Sequence, residues 1–459
     1  MSIFKKTGAA KNNRPVSPLR RLAYLGLGLG VFILAVALFI LVFGNMILNG
    51  YGKSRVQQAF TAGHPGSTLQ IGKLSYAIGA SRLDAQSIAL STTSSSFKVG
   101  RISLTGIRVA PILRGKATLA DILAKASLDA ANLDVEFRGP HYGIRCTRLR
   151  ASVPNSDLVA EGTDFSPMAG DEAIYIAHAT RTTRYRVFMP EFRVSGLAYG
   201  ELLQGKSYRA RSVHLIRPTF DALSYHYTPA GPFKRSPHMV NEALAAIPRP
   251  VQVDSLIITN GYGTFRDRVA VGAPPGMLTF TGVNLSAAGI TNRGDPSAAI
   301  ALRAKGKLMD AGVLEVLMTI PLNPRDFSLH YTGSLGAMDM TRINAFLDVV
   351  DRIHLNSGRA EKVDFAVDVT AGHARGSLRA IYRDLNISML DRKSGTKEGF
   401  GNRVASFIAN EFKFRDTNAP HTRNPMKEGK IDYKRKPRDT FLQYVWLALQ
   451  GGVLDVISQ

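Results

Sequence analysis

The chain has 459 residues, with 58 Lys and Arg against 35 Asp and Glu, a formal net charge of +23 and an isoelectric point near 10.2. It is too long for one small module, and its single cysteine, Cys146, excludes an intramolecular disulfide, so packing and backbone pairing must hold the fold. A surface this basic favours anionic lipid headgroups or polyanions.

Residues 1–21 carry Lys5, Lys6, Lys11, Arg14, Arg20 and Arg21 and no acidic residue. From Leu22 to Leu48 the chain is apolar and uncharged, longer than the roughly 20 residues a membrane-spanning helix needs. The pattern predicts a transmembrane helix at 22–48, a cytoplasmic basic tail at 1–21 and an extracytoplasmic remainder. A cleaved signal peptide would show a small-x-small site after the run, and none precedes Asn49, Gly50 and Tyr51. That address argues against nucleic acid as the partner of so basic a chain.

Beyond the anchor, a short helix is predicted at 53–62, and then the period falls to two. Leu133, Val135 and Phe137 alternate with acidic residues, and Tyr185, Val187 and Met189 with arginines. The same alternation marks Leu314, Val316, Met318 and Ile320, then Phe365, Val367 and Val369, then Leu385, Ile387 and Met389. Turn signals stand at Gly106, Gly115, Gly139-Pro140, Asn260-Gly261, Pro274-Pro275, Asn323-Pro324 and Gly372. The body at 49–390 therefore reads as strands with one apolar face each, and a doubly wound enzyme fold is disfavoured. Helices are predicted only at 241–246, 340–351, 401–412 and 440–457. At about 12–15 residues per strand and turn, the body would hold roughly 22–28 strands, and about 4.8 Å per strand gives on the order of 100–130 Å.

Residues 102–116 (ISLTGIRVAPILRGK) align without a gap on 192–206 (FRVSGLAYGELLQGK), which predicts a repeated structural unit. The second copy contains GELLQGKS at 200–207, a literal phosphate-loop pattern. Its context is wrong, because an Arg-rich, strand-like segment follows where a long helix is required, and the first copy reads APILRGKA. There is no HExxH and no GxSxG, and the ten His residues show no i, i+4 pair. Cys146 has cationic neighbours that would lower a thiol pKa, but a lone thiol is usually structural. Asp364 and Asp368 share one strand face too far apart for an acid and base pair. The residues offer no positive case for catalysis, a cofactor or a metal.

The segment at 391–459 differs. Lys427, Lys430, Lys434, Arg435, Lys436 and Arg438 lead into an apolar helix containing Phe441, Tyr444 and Trp446. These three are membrane-interface candidates, or residues that meet a partner helix, and the alternative is that the helix plugs the end of the sheet.

Several segments together resemble a known family. A basic stub and one anchor are followed by LQIGKLSYAIGASRLDAQSIAL (69–90) and FKVGRISLTGIRV (97–109). Later come VQVDSLIITNGYGTFRD (251–267), LTFTGVNLSAAGI (278–290), INAFLDVV (343–350), LNSGRAEKVDFAVDVTAGHARGSLRAIYRDLNISML (355–390) and GKIDYKRKPRDTFLQYVWLALQGGV (429–453). This order is similar to that of AsmA-like bacterial envelope proteins, particularly the DUF748 branch. The resemblance implies a mainly β protein: an elongated, curved, open antiparallel sheet forming an apolar groove, with a few short helices and a C-terminal helix. Val316, Met318, Phe365, Val367 and Val369 are the groove candidates. It also implies an inner-membrane anchor with the bulk in the periplasm, a phospholipid or other envelope lipid as ligand, and room for an envelope protein partner. The competing expectation is a periplasmic scaffold for secretion or outer-membrane components that uses the same sheet without lipid transfer.

Overall fold

In the computed structural model the described residues are 66–77, 79–107, 123–139, 141–171, 183–225, 238–270, 272–295, 297–322, 327–390, 414–422, 424–437 and 439–458. The tail at 1–21, the span at 22–48 and the helices predicted at 53–62 and 401–412 lie outside them. Among the described residues no helix is long and apolar enough to cross a membrane.

Eighteen strands join in one sheet. In chain order they are β1 (Thr68–Ala77), β2 (Arg82–Ser91), β3 (Ser95–Thr105), β4 (Ser127–Phe137), β5 (Tyr142–Ser152), β6 (Asp157–Pro167), β7 (Thr183–Ser195), β8 (Tyr208–Ile216) and β9 (Thr219–Tyr225). The second half holds β10 (Val251–Arg268), β11 (Gly276–Thr291), β12 (Ala299–Leu308), β13 (Gly312–Pro321), β14 (Leu329–Leu335), β15 (Met338–Asp339), β16 (Ile353–Thr370), β17 (His373–Met389) and β18 (Gly429–Lys434). The helices are α1 (Tyr199–Leu203), α2 (Val240–Ala245), α3 (Asn344–Val350, entered through a 3-10 turn at Met340–Ile343) and α4 (Phe441–Ile457). Three of the predicted helical windows thus hold helices. Several strands are longer than the expected spacing of about 12–15 residues per strand and turn allows: β10 and β16 run 18 residues each.

The sheet is mixed, which corrects the expectation of a wholly antiparallel one. β8 and β9 are one strand line broken at Arg217 and Pro218. Both pair antiparallel with β7 on one side and parallel with β10 on the other. The cause is the segment 226–250, which returns the chain from the end of β9 to the start of β10. A parallel pair needs such a crossover of about a dozen residues or more, whereas an antiparallel pair can be joined by a short hairpin. At this junction buried Arg184 on β7 donates to Asp221 on β9 and, at 3.0 Å, to Asp171, while Arg266 on β10 donates to Asp221 at 2.8 Å. Burial alone would raise the Asp221 carboxyl, but these hydrogen bonds from Arg266 and Arg184 outweigh it and hold the group below its usual range.

A second feature crosses the sheet. The pairing registers place Gly72 opposite Ser87, Ser87 opposite Gly100, Gly100 opposite Asn132, Asn132 opposite Thr147, Thr147 opposite Gly162 and Gly162 opposite Pro190. Ser87, Asn132 and Gly162 have φ of 51°, 55° and 60°, and Arg217, Asn260 and Gly282 carry left-handed backbone onward through the junction. From β1 to β7 the pairing stays one to one across these positions, yet the side-chain alternation shifts by one at them. On β2 the buried side chains are Leu83 and Ala85 before Ser87 and Ile88 after it; on β4 they are Leu128 and Ala130, then Leu133 and Val135. The crease therefore keeps one face apolar along the full strand. Asn260-Gly261, predicted as a turn, is the crease position inside β10.

Gly162 meets both demands of the crease at once. Its φ is left-handed, and an added β-carbon would sit 2.5 Å from Thr147 Oγ1. Gly162→Ala is expected to cost about 2–4 kcal/mol, about 1 from the backbone and the rest from the clash. Urea unfolding checks this against Gly79→Ala, whose added carbon meets nothing within 4 Å and should stay within about 0.5 kcal/mol.

Candidate functional site

The five groove candidates fall on three adjacent rows of one sheet face. Val316, Gly333, Phe365 and Leu378 are successive cross-strand neighbours from β13 to β17. Met318, Tyr331, Val367 and Gly376 form the next row, and Leu329, Val369 and Ala374 the third. Phe365 reaches the Val316 row because Gly333 has no side chain: a β-carbon there would collide with the Phe365 ring.

These rows are not equally open. Val367 is fully buried, Val369 is 3% exposed, and Phe365 and Met318 are each 8% exposed, whereas Val316 is half-buried. Half-buried with it on the same apolar cluster are Leu256 of β10, Leu285 of β11, Leu302 of β12 and Leu314 of β13. The apolar face is thus partly accessible over β10–β13 and packed shut toward β16–β18. Over β1–β8 it is also shut, by α1 through Tyr199, Leu202 and Leu203, with Ile107 and Leu123.

Two helical elements close the far end. Met239, at the start of α2, is fully buried in the cluster that contains Val367. α4 adds Tyr444, Leu447, Ala448, Val456 and Ile457. Tyr444 stands edge-on to Phe327 with ring centroids 5.3 Å apart, and its hydroxyl donates to the Gly372 carbonyl at 3.2 Å. Arg435 ties the two covers together: it donates to Glu242 of α2 at 2.7 Å and lies 5.4 Å over the Phe327 ring. Burial opposes ionisation of Glu242, but the Arg435 and Met239 hydrogen bonds prevail and lower its pKa. Under this cover the Tyr331 hydroxyl is buried without a hydrogen-bond partner, and desolvation raises its pKa.

The interface candidates separate in the same way. Phe441 is half-buried, edge-on to Phe327 at 6.5 Å, and Tyr444 is fully buried, so both face the sheet. Trp446 points outward and is 38% exposed.

The opposite sheet face is polar over β1–β7, whereas over β10–β13 it also exposes Ile257, Val313 and Leu317. Over β1–β7 it forms a shallow concavity of about 1060 Å³ whose lining includes Lys73, Arg82, Arg101, Arg150 and Arg193 with Asp84 and Asp129. Arg82 pairs with Asp84 at 2.8 Å, and the hydrogen bond from Arg148 holds the Asp129 carboxyl low against partial desolvation.

The residues weighed as catalytic are not brought together. His330 pairs with Asp368 at 2.7 Å, His373 with Asp432 at 2.7 Å, His354 with Asp348 at 3.0 Å, and Asp364 with Lys362 at 2.9 Å, so each closes on its own partner. Cys146 is buried and donates to the Arg148 carbonyl at 3.2 Å. Desolvation raises its pKa, so the flanking arginines do not make it a thiolate. The phosphate-loop pattern is built in reverse order: α1 precedes the Gly205 turn, β8 follows it, and the Ser207 hydroxyl donates to Glu201. In the repeat, Gly106 and Gly196 adopt matching φ of 71° and 66° after their strands, while residues 108–116 lie outside the described residues. Among the described residues no three His, Cys, Asp or Glu side chains converge to hold a metal.

Sequence reasoning missed Tyr331, which sits in the same apolar row as Met318 and Val367, and Leu302 beside them. It also missed Asp351, at the end of α3, which is 1% exposed with neither carboxylate oxygen hydrogen-bonded. No family model matches the chain, and no curated protein matches it.

Proposed function

We propose that this protein holds lipid acyl chains against the apolar face of its sheet and assists lipid movement or envelope biogenesis, without catalysing a covalent reaction. In this reading residues 22–48 anchor it in the inner membrane, with the sheet on the periplasmic side and the inner-membrane phospholipid as the ligand source. The curved-groove geometry belongs to the proposal, as does membership of the AsmA-like group, which rests on the motifs quoted above. One observation carries it: the crease keeps a single face apolar across the sheet, and over β10–β13 that face is half-open instead of filled.

An apolar stripe with no side chains to fill it is a place where acyl chains gain the hydrophobic stabilisation that a closed core would otherwise supply. Native mass spectrometry of detergent-extracted protein should detect bound phospholipid. Val316→Asp places a charge in the half-open part and is expected to lower bound lipid at least fivefold while leaving the fold intact. Val367→Asp would bury a charge and unfold that end, so it reports stability, not binding. Protein that carries no lipid, with Val316→Asp indistinguishable from the parent, would overturn the reading.

The alternative, a scaffold for secretion or outer-membrane components, draws on the packed end, where Val367 and Val369 leave no room for a ligand. It predicts a partner complex that survives Val316→Asp.

A further inference from the structure

α4 is apolar on every side, its one charged residue being Asp455, which pairs with Lys427 at 3.3 Å. A helix hydrophobic all round is ordinarily covered all round. Among the described residues the cover falls on Tyr444, Leu447, Ala448, Gln450, Val456 and Ile457. The other side carries Leu442, Trp446, Leu449 and Val453 at spacings of four, three and four, which place them on one ridge about 16 Å long at 1.5 Å per residue. Leu442 is 62% exposed, Val453 40% and Trp446 38%, and Leu449 is half-buried.

We propose that this ridge docks on an anionic phospholipid bilayer surface. The ridge is too small for a stable protein partner: four partly covered side chains fall well short of the roughly 800 Å² per side that such interfaces bury. Its chemistry suits a bilayer interface. Trp settles at the boundary between headgroups and acyl chains, and Lys434 and Lys436, both exposed just before the helix, supply charge complementary to anionic headgroups. The spacing would also serve a helix from a second copy, which is an outcome of the test below. The inference stands apart from the acyl-chain reading, because Leu442, Trp446 and Val453, the exposed part of the ridge, do not belong to the sheet's apolar cluster.

Trp446 is the only tryptophan in the chain, so its fluorescence reads this ridge alone. The full chain is reconstituted into lipid discs of phosphatidylglycerol with brominated acyl chains, and compared with non-brominated discs and with brominated phosphatidylcholine discs. Docking predicts emission at shorter wavelength and quenching by half or more in brominated phosphatidylglycerol. Quenching should fall severalfold in phosphatidylcholine, in high salt and in a Lys434→Glu, Lys436→Glu variant. It should vanish in Leu442→Asp, Val453→Asp; if that variant does not fold, the unmodified chain decides alone. Unquenched Trp446, or equal quenching in both lipids, overturns the proposal. So does a lipid-free emission shift that grows with protein concentration alongside a doubled mass, which would assign the ridge to a second copy.

Discussion

Asp351→Asn is expected to stabilise the fold by about 3–4 kcal/mol at pH 8 and by little at pH 4. Burial of the Asp351 carboxyl, helped by the nearby Asp267 charge, pushes its pKa up to about 7 from an ordinary 3.8. A folded value above the unfolded one means the fold prefers the neutral acid. That stabilisation is fully present below about pH 4 and is lost as the pH rises through 7, amounting to about 4 kcal/mol by linkage. Asn reproduces the neutral acid in shape and polarity, so it removes the pH dependence without filling or opening space. Urea midpoints measured from pH 4 to 8 should fall for the parent chain and remain nearly level for Asp351→Asn. A parent profile that is flat between pH 5 and 8 would mean that Asp351 does not bury its charge. Asp267→Asn should move the parent's inflection to lower pH, since Asp267 contributes to the upward shift.

Gly429→Val is expected to lift α4 from β18. A β-carbon at Gly429 would fall inside the Gly452 carbonyl oxygen, and one at Gly452 would lie 2.8 Å from Ile431 Cγ1. Neither neighbour is the free end of a flexible side chain, so the helix itself must move. The cost should be 3 kcal/mol or more, the upper range for overpacking, because the contacts of Tyr444, Leu447 and Val456 go with it. Two readouts follow. Limited proteolysis should cut within 441–457 many times faster, and an environment-sensitive apolar dye should bind where Val367 and Val369 become exposed. Unchanged proteolysis would mean that β18 and α4 can separate slightly without undocking.

Much of this architecture was legible from residue spacing. The windows 241–246 and 440–457 hold α2 and α4 within a residue or so, because an apolar run with helical spacing was bounded by residues that stop helices. The groove candidates proved to share one face because alternation fixes facing whatever the partner strand is. Three things were not legible. The parallel join at β10 depends on where the crossover 226–250 delivers the chain, and no local pattern encodes that. Asn260-Gly261 has the chemistry of a hairpin turn, but left-handed backbone serves a bulge equally well, and only the pairing partner decides. The degree of closure over Val367 was hidden too, since an apolar side chain looks the same beneath a helix as beneath a ligand. Asp351 gave no signal at all, because a helix-terminal Asp is ordinarily solvated.

The single parallel join also sets an order of assembly. Every strand from β1 to β8 pairs with one adjacent in sequence, and β9 continues the line of β8 along β7, so that half can zip up progressively from local contacts as the chain emerges. β10 can pair locally with β11 but cannot join β8 and β9 until the crossover has been made, and until then the β8 and β9 edge presents unpaired amides and carbonyls to any other strand nearby. The slow step of folding is therefore expected at this join, with Arg184, Asp221 and Arg266 meeting late. A chaperone that shields a strand edge would act on this protein there, before the two halves of the sheet have joined.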